Sequence, residues 1–377
     1  MNKLLVASAG AGKTTYVVNE SIERAKEGAS ILITTFTEAC KDEIYKKIIE
    51  KNGCVPSNIH IITWFSFMIK HGIKPFQGVL FNWDVKGMLL CNGRSGLRYV
   101  TATGRPIYWG EEKNFKEHYF DSQCRLFSDK LSKLALRCDD KSEGKVFNRL
   151  SKCFSHIYID EVQDLAGFDL EILQRLFDAD INVTLVGDPR QATYSTANTA
   201  KNKKYKRSEI VNFFLDADFE LETDTTSLLE NHRCFNEITL FANNVYPLQK
   251  YPDYPQASSN KVEVSGHDGV FAVGGDDVDS YLEKFQPVQL RDTKRTKVND
   301  SYPVFNIGVS KGLTFDRVII YPSSPMVNWF LNNDFELNQM TRAKLYVALT
   351  RPIKSVAIVF PSVVLEKIVG IKKFSNI

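Results

Sequence analysis

Long apolar runs are missing from this sequence. No stretch of its 377 residues approaches the roughly 18–20 consecutive apolar residues that cross a bilayer, which excludes a helical membrane span. The amino-terminal run, Leu4 to Ala7, is also too short for a cleavable secretory signal, which needs about 7–15 apolar residues. It reads as one short buried strand. The seven cysteines, at 40, 54, 91, 124, 138, 153 and 234, form no C-x-x-C pair and no zinc-ligand spacing. That excludes a thiolate metal site and fits reduced thiols in a cytoplasmic protein. Charge of one sign is lacking too: a net +3 does not identify a nucleic-acid partner. Only the runs Lys201–Arg207 and Arg291–Lys297 concentrate basic residues, and each reads equally well as a solvated loop. Repeats and low-complexity tracts are absent.

What remains, 43% apolar and 25% charged, is the composition of an ordinary globular chain long enough for two or three domains. Its first half alternates strand and helix: a helix over 15–26, a strand over 31–35, a helix over 38–51 capped by Thr37, and a strand over 59–63. The rhythm lapses over 76–145, read as a short, mainly helical insertion, with a helix over 129–137. It resumes with a strand over 156–160, a helix carrying Leu165, Phe168, Ile172, Leu173, Leu176 and Phe177, and a strand over 183–188. The alternation predicts an α/β protein with parallel sheets. A first lobe is expected over 1–75 and 146–225 and a second over 226–377, with strands near 262–264, 270–273, 288–290, 305–309, 318–321 and 356–360 and a helix over 340–350.

The first strand runs into Ala7-Ser8-Ala9-Gly10-Ala11-Gly12-Lys13-Thr14, which ends as a phosphate-binding loop does. Small residues let backbone N–H groups close around phosphate oxygens, Lys13 supplies a point charge, Thr14 a magnesium ligand, and the helix behind them a positive end. Ala7 replaces the first glycine of the strict pattern. Asp160 and Glu161 stand at the end of a later strand, the edge where open α/β sheets bind ligands. Asp160 suits Mg²⁺ and Glu161 suits activation of water, although both also suit the start of the following helix. Gln191, just past the next strand, is placed to sense a terminal phosphate.

Read in order, AGAGKTT at 9–15, TFTEACKDEI at 35–44, TWFSF at 63–67, IDEVQD at 159–164, GDPRQATY at 187–194, LLENHR at 228–233, SKGLTFD at 310–316 and YVALTR at 346–351 resemble the UvrD/Rep/PcrA group of superfamily 1 helicases. The resemblance implies two RecA-like lobes with ATP and Mg²⁺ between them. It assigns Lys13, Glu161, Gln191, Arg233 and Arg351 to catalysis, the two arginines as charge-neutralising fingers. Gly10, Ala11, Gly12, Thr14, Thr15, His232 and Gly312 would line the nucleotide, Thr14 and Asp160 the metal, and Thr35, Phe36, Thr63, Phe67 and Tyr194 the nucleic-acid strand. The implied activity is 3′ to 5′ translocation on single-stranded DNA.

Departures qualify this. The adenine-reading glutamine segment ahead of the loop has no counterpart. His232 stands for a base-stacking tyrosine, Thr314 for a ribose-contacting glutamate, Gly308 and Phe65 for histidines and Thr196 for a tryptophan. Between 233 and 310 there is no room for the large accessory domain of the second lobe. A competing reading is therefore a nucleotide-gated subunit that licenses a partner nuclease, by analogy with defence systems of the Gabija type.

Overall fold

The computed structural model describes residues 1–91, 93–197, 199–216, 219–262 and 264–375. They form two compact units: residues 1–4, 14–187 and 195–223, and residues 5–13, 188–194 and 224–377. The second unit includes the short segments 5–13 and 188–194. Backbone bonds explain the grouping: Ser8 N–H donates to Leu228 O at 3.1 Å and His232 N–H to Gly10 O at 3.0 Å.

The chain opens with β1 (Asn2–Val6), the helix Lys13–Lys26, β2 (Ile31–Thr35), the helix Glu38–Asn52 and β3 (Ile59–Thr63). Thr37 caps the second helix by accepting from Cys40 N–H, and Gly53, at φ 79°, ends it. The insertion contains the helices Phe115–Tyr119 and Leu131–Lys141, the second answering the helix expected over 129–137, with short strands beside them. It holds β4 (Gly87–Leu89), β5 (Leu97–Val100), β6 (Pro106–Tyr108) and β7 (Arg125–Phe127); β4 pairs parallel with β7, and β5 antiparallel with β6. Three- and four-residue strands are too short to leave a periodic signal in the sequence.

Alternation resumes with β8 (His156–Asp160), the helix Asp169–Phe177, β9 (Asn182–Gly187) and β10 (Leu221–Asp224). The helix begins later than its apolar pattern suggests, because 162–164 form a 3-10 turn and Gly167 turns left-handed at φ 66°. The six strands assemble in the order β10-β1-β9-β8-β2-β3, with β2–β3, β2–β8 and β8–β9 parallel. Every residue of β2 and β8 is buried, as strands covered on both faces require.

The second sheet comprises β11 (Gly269–Gly274), β12 (Val288–Arg291), β13 (Val304–Asn306), β14 (Phe315–Tyr321), β15 (Pro352–Phe360) and β16 (Lys372–Lys373). Their order is β13-β12-β14-β15-β11-β16, and each of these pairings is parallel. Phe271, Val273, Tyr281, Leu282, Ile319 and Ala357 form one of its cores. Two strand expectations fail. The one over 305–309 ends at Asn306 and passes into a 3-10 turn, and Val262 and Val264 are exposed and irregular, with Glu263 outside the described residues. The protein is α/β with two predominantly parallel sheets. Among the described residues no helix is long and apolar enough to cross a membrane.

Candidate nucleotide and nucleic-acid site

In the first unit, parallel register carries the ends of β2, β3, β8 and β9 to one edge, with Asp160 opposite Val186 and Thr35 opposite Thr63. The helix Lys13–Lys26 brings Thr14 Oγ1 to 3.4 Å from Asp160 Oδ2. Two oxygen donors on rigid elements suit Mg²⁺, which takes few protein ligands and keeps water and phosphate for the rest. The described residues contain no cluster of three His, Cys, Asp or Glu that could hold a metal ion by themselves.

Glu161 sits in the left-handed region at φ 60°. Such a conformation costs a non-glycine residue about 1–2 kcal/mol and persists only where its surroundings hold it. Here Glu161 N–H donates to Asp160 Oδ1 at 2.9 Å, and Gln163 Nε2 donates to Glu161 Oε2. The turn leaves the Glu161 carboxylate half-buried while Gln163 is buried. Gly187, at the end of the adjacent β9, makes room for it: a Cβ there would lie 2.4 Å from Gln163 Oε1.

In the second unit the phosphate loop turns on Gly10 (φ 73°) and Gly12 (φ 80°). A Cβ on Gly10 would meet Asn231 Oδ1 at 2.2 Å, so the position is closed to side chains on two counts. Lys13 Nζ donates to Ser8 O at 3.3 Å, and the buried Ser8 hydroxyl has no hydrogen-bond partner among the described residues. Ala7, Ala9 and Ala11 are buried, leaving Gly10 and Gly12 as the half-open positions of the loop. An open backbone, an ammonium and an orphaned hydroxyl fit a polyphosphate.

Gln191, buried, donates from Nε2 to Asp188 Oδ2 at 2.9 Å and accepts at Oε1 from Arg351 Nη2 at 3.0 Å. Arg351 is 1% exposed and also donates to Val347 O and Leu313 O. Arg233, half-buried, donates through Nη1 to Thr350 O at 3.0 Å, so both arginines converge on the end of the helix Gln339–Leu349.

Residues 1–197 match the family model described as an AAA domain, and residues 120–360 match the viral superfamily 1 RNA helicase core domain. Each spans more than half of the chain. The chain belongs to the superfamily 1 helicases. Among solved structures, an Arterivirus helicase, nonstructural protein 10, in complex with DNA, shares 14% identity over 96% of this chain at a TM-score of 0.45. The chain spans 61% of that protein's length. No curated protein matches.

The helicase's expected strand-contact residues divide. Phe36 is half-buried, and its ring meets Phe65 edge-on at 5.6 Å between centroids. Phe67 is 1% exposed and packs on Trp64 at 5.5 Å, so its assignment to base stacking is corrected: it is a core residue. Phe65 is half-buried and takes the outward place, because positions two apart on a helix face opposite sides. Thr63 is buried as the cap of the helix Trp64–Phe67, accepting from Ser66 N–H, and the buried Thr35 hydroxyl has no hydrogen-bond partner among the described residues. The Thr35 hydroxyl thus lies below the surface, whereas Thr63 lines an open pocket with Ser66 and Lys70. Tyr194 donates its hydroxyl to Gly308 O at 2.8 Å.

Thr15 lies half-buried in the first turn of its helix, Gly312 makes an exposed turn at φ 85°, and His232 is exposed with Nδ1 3.7 Å from Glu230. In the basic run, Lys201 pairs with Glu171 at 2.6 Å and Lys204 with Asp216 at 3.4 Å.

Three organising residues escaped the motif reading. Arg190 is fully buried, with Nε 2.9 Å from Asp188 Oδ1, Nη1 donating to Pro255 O and the guanidinium 4.7 Å from the centre of the Tyr346 ring. Burial opposes its charge, but the Asp188 carboxylate and the Tyr346 ring more than offset this and push its pKa up. Asn231 accepts at Oδ1 from the N–H groups of Arg233 and Cys234, shaping the arginine's turn. Asp169 ties together much of the first unit. Arg190 and Asn231 stood inside quoted motifs, but a string of letters carries no sign of burial.

Proposed function

We propose that this helicase is an ATP-dependent, Mg²⁺-requiring motor that moves 3′ to 5′ on single-stranded DNA, of the UvrD type. The observation that carries the reading is the pairing of Thr14 with Asp160 at 3.4 Å beside a strained Glu161 held by Gln163. Lys13 and the Gly10–Gly12 backbone would hold the phosphates, and Thr14 and Asp160 would hold Mg²⁺. Magnesium would supply charge neutralisation to the phosphoryl oxygens. Glu161 would take a proton from the attacking water, a role worth about 10²–10⁴ in rate. Gln191 and Arg351 would act as one hydrogen-bonded unit at the terminal phosphate, with Arg233 as the second cation. Phe36 with Phe65 offers aromatic edges to bases of any sequence.

The test is steady-state ATP hydrolysis with no polymer, with single-stranded DNA, with single-stranded RNA and with duplex, followed by displacement of a block from either end. Strong stimulation by single-stranded DNA with displacement toward the 5′ end is the expected result; stimulation by RNA, or the opposite direction, would reassign track or polarity. A slow rate indifferent to every polymer and restored by a co-purifying protein would support the nuclease-licensing subunit of a defence complex instead.

A further inference from the structure

Asp169 is 2% exposed, yet its carboxylate gathers four donors from separate segments. Trp64 Nε1 donates at 2.9 Å and Ala166 N–H at 3.1 Å, and the hydroxyls of Ser132 and Thr196 donate as well. The donors are placed unevenly in the chain. Trp64 follows Thr63 at the tip of β3, beside the Phe36–Phe65 pair. Ala166 lies two residues past the 3-10 turn Val162–Asp164 that Glu161 opens, and Thr196 closes the loop that follows Tyr194. Thr196 reinforces the link: its hydroxyl accepts from Ala166 N–H at 2.9 Å, and its own N–H donates to Asp164 O at 2.9 Å.

A buried carboxylate that loses a donor keeps its desolvation penalty, so it resists any shift that moves one donor away from the others. Displacing the β3 tip therefore displaces the Glu161 turn. We propose that Asp169 is a positioning residue that couples occupation of the strand-contact surface to the catalytic turn of Asp160 and Glu161. The inference rests on the motor reading above, and it gives Thr196, which replaces an expected aromatic, a role inside the protein.

The test compares Asp169→Asn, Thr196→Val and Trp64→Phe with the unsubstituted chain, measuring melting temperature, basal ATP hydrolysis, and hydrolysis with oligodeoxythymidylate and oligouridylate. Asparagine keeps the shape but turns its NH2 toward one of the two donor pairs, Trp64 with Ser132 or Ala166 with Thr196. Folded variants should keep a basal rate within about twofold while the ratio of stimulated to basal rate falls at least about tenfold, within the usual range of coupling between sites. A folded variant with an unchanged ratio, or parallel loss of basal and stimulated rates, overturns the coupling role. Should Asp169→Asn fail to fold, the two donor-side variants decide. If the unsubstituted chain itself responds to neither polymer, the motor reading fails and the coupling falls with it; a normal response with unchanged variants removes the coupling alone.

Discussion

Arg351 Nη2 donates to Gln191 Oε1 at 3.0 Å, while Gln191 Nε2 donates to Asp188 Oδ2 at 2.9 Å. The chain of bonds links the tip beyond β9 to the end of the helix Gln339–Leu349. Arg351→Lys keeps the charge but cannot reproduce a guanidinium that also reaches Val347 O and Leu313 O. We expect hydrolysis to fall by about 10³ or more. Arg351→Ala should in addition lower unfolding stability by about 1–3 kcal/mol, because it leaves buried acceptors unpaired. Parallel ATPase and denaturant titrations separate the two effects.

For the proposed base, Glu161→Gln should reduce turnover at least about 100-fold with nucleotide affinity retained. Fluorescent-nucleotide binding beside a phosphate-release assay reads both, and near-normal turnover would remove Glu161 from the role. Asp160→Asn should instead raise the Mg²⁺ concentration needed for half-maximal rate.

Gly10→Ala places a methyl 2.2 Å from Asn231 Oδ1 at a backbone φ of 73°. The loop must shift, and nucleotide affinity should fall by about tenfold or more, with a strain of about 1–3 kcal/mol appearing in the melting curve. Unchanged affinity in this variant would place phosphate binding elsewhere.

The aromatic pair and the core ring should respond differently. Phe67→Ala removes a buried ring and should destabilise the protein by about 3–5 kcal/mol. Phe36→Ala and Phe65→Ala should leave melting nearly unchanged and weaken single-strand binding by about 1–3 kcal/mol each. Fluorescence anisotropy with a labelled oligonucleotide, normalised to the folded fraction, distinguishes them.

His156, buried at the start of β8, bonds Thr184 Oγ1 through Nε2 at 2.9 Å, and burial followed by the nearby Arg24 charge lowers its pKa to about 4. The unfolded chain, with an ordinary histidine near 6.5, binds the proton that the folded chain refuses. Stability is therefore full above about pH 6.5 and falls as pH drops toward 4, by up to about 3 kcal/mol. His156→Gln should flatten that part of the wild-type pH profile of urea midpoints; an unaltered slope would assign the effect to other groups.

The local sequence determined the longer buried strands, the caps and the glycine turns of the loop after β1. Short apolar runs rich in β-branched residues, such as Ile31–Ile33 and Ile157–Ile159, bounded by polar residues, favour strands covered on both faces, Thr37 carries its own capping hydroxyl, and Gly10 and Gly12 admit left-handed turns without strain. These choices are made within a few residues, so motif and spacing carry them. Tertiary structure decided which way each side chain faces and what it meets. Phe65 and Phe67 are the same residue on opposite sides of one helical turn, and only the packing of Trp64 and its neighbours decides which of them is buried. Asp169 and Arg190 carry no mark of burial in their local sequence; remote segments close over them, and a carboxylate or guanidinium becomes an organiser only once water is excluded.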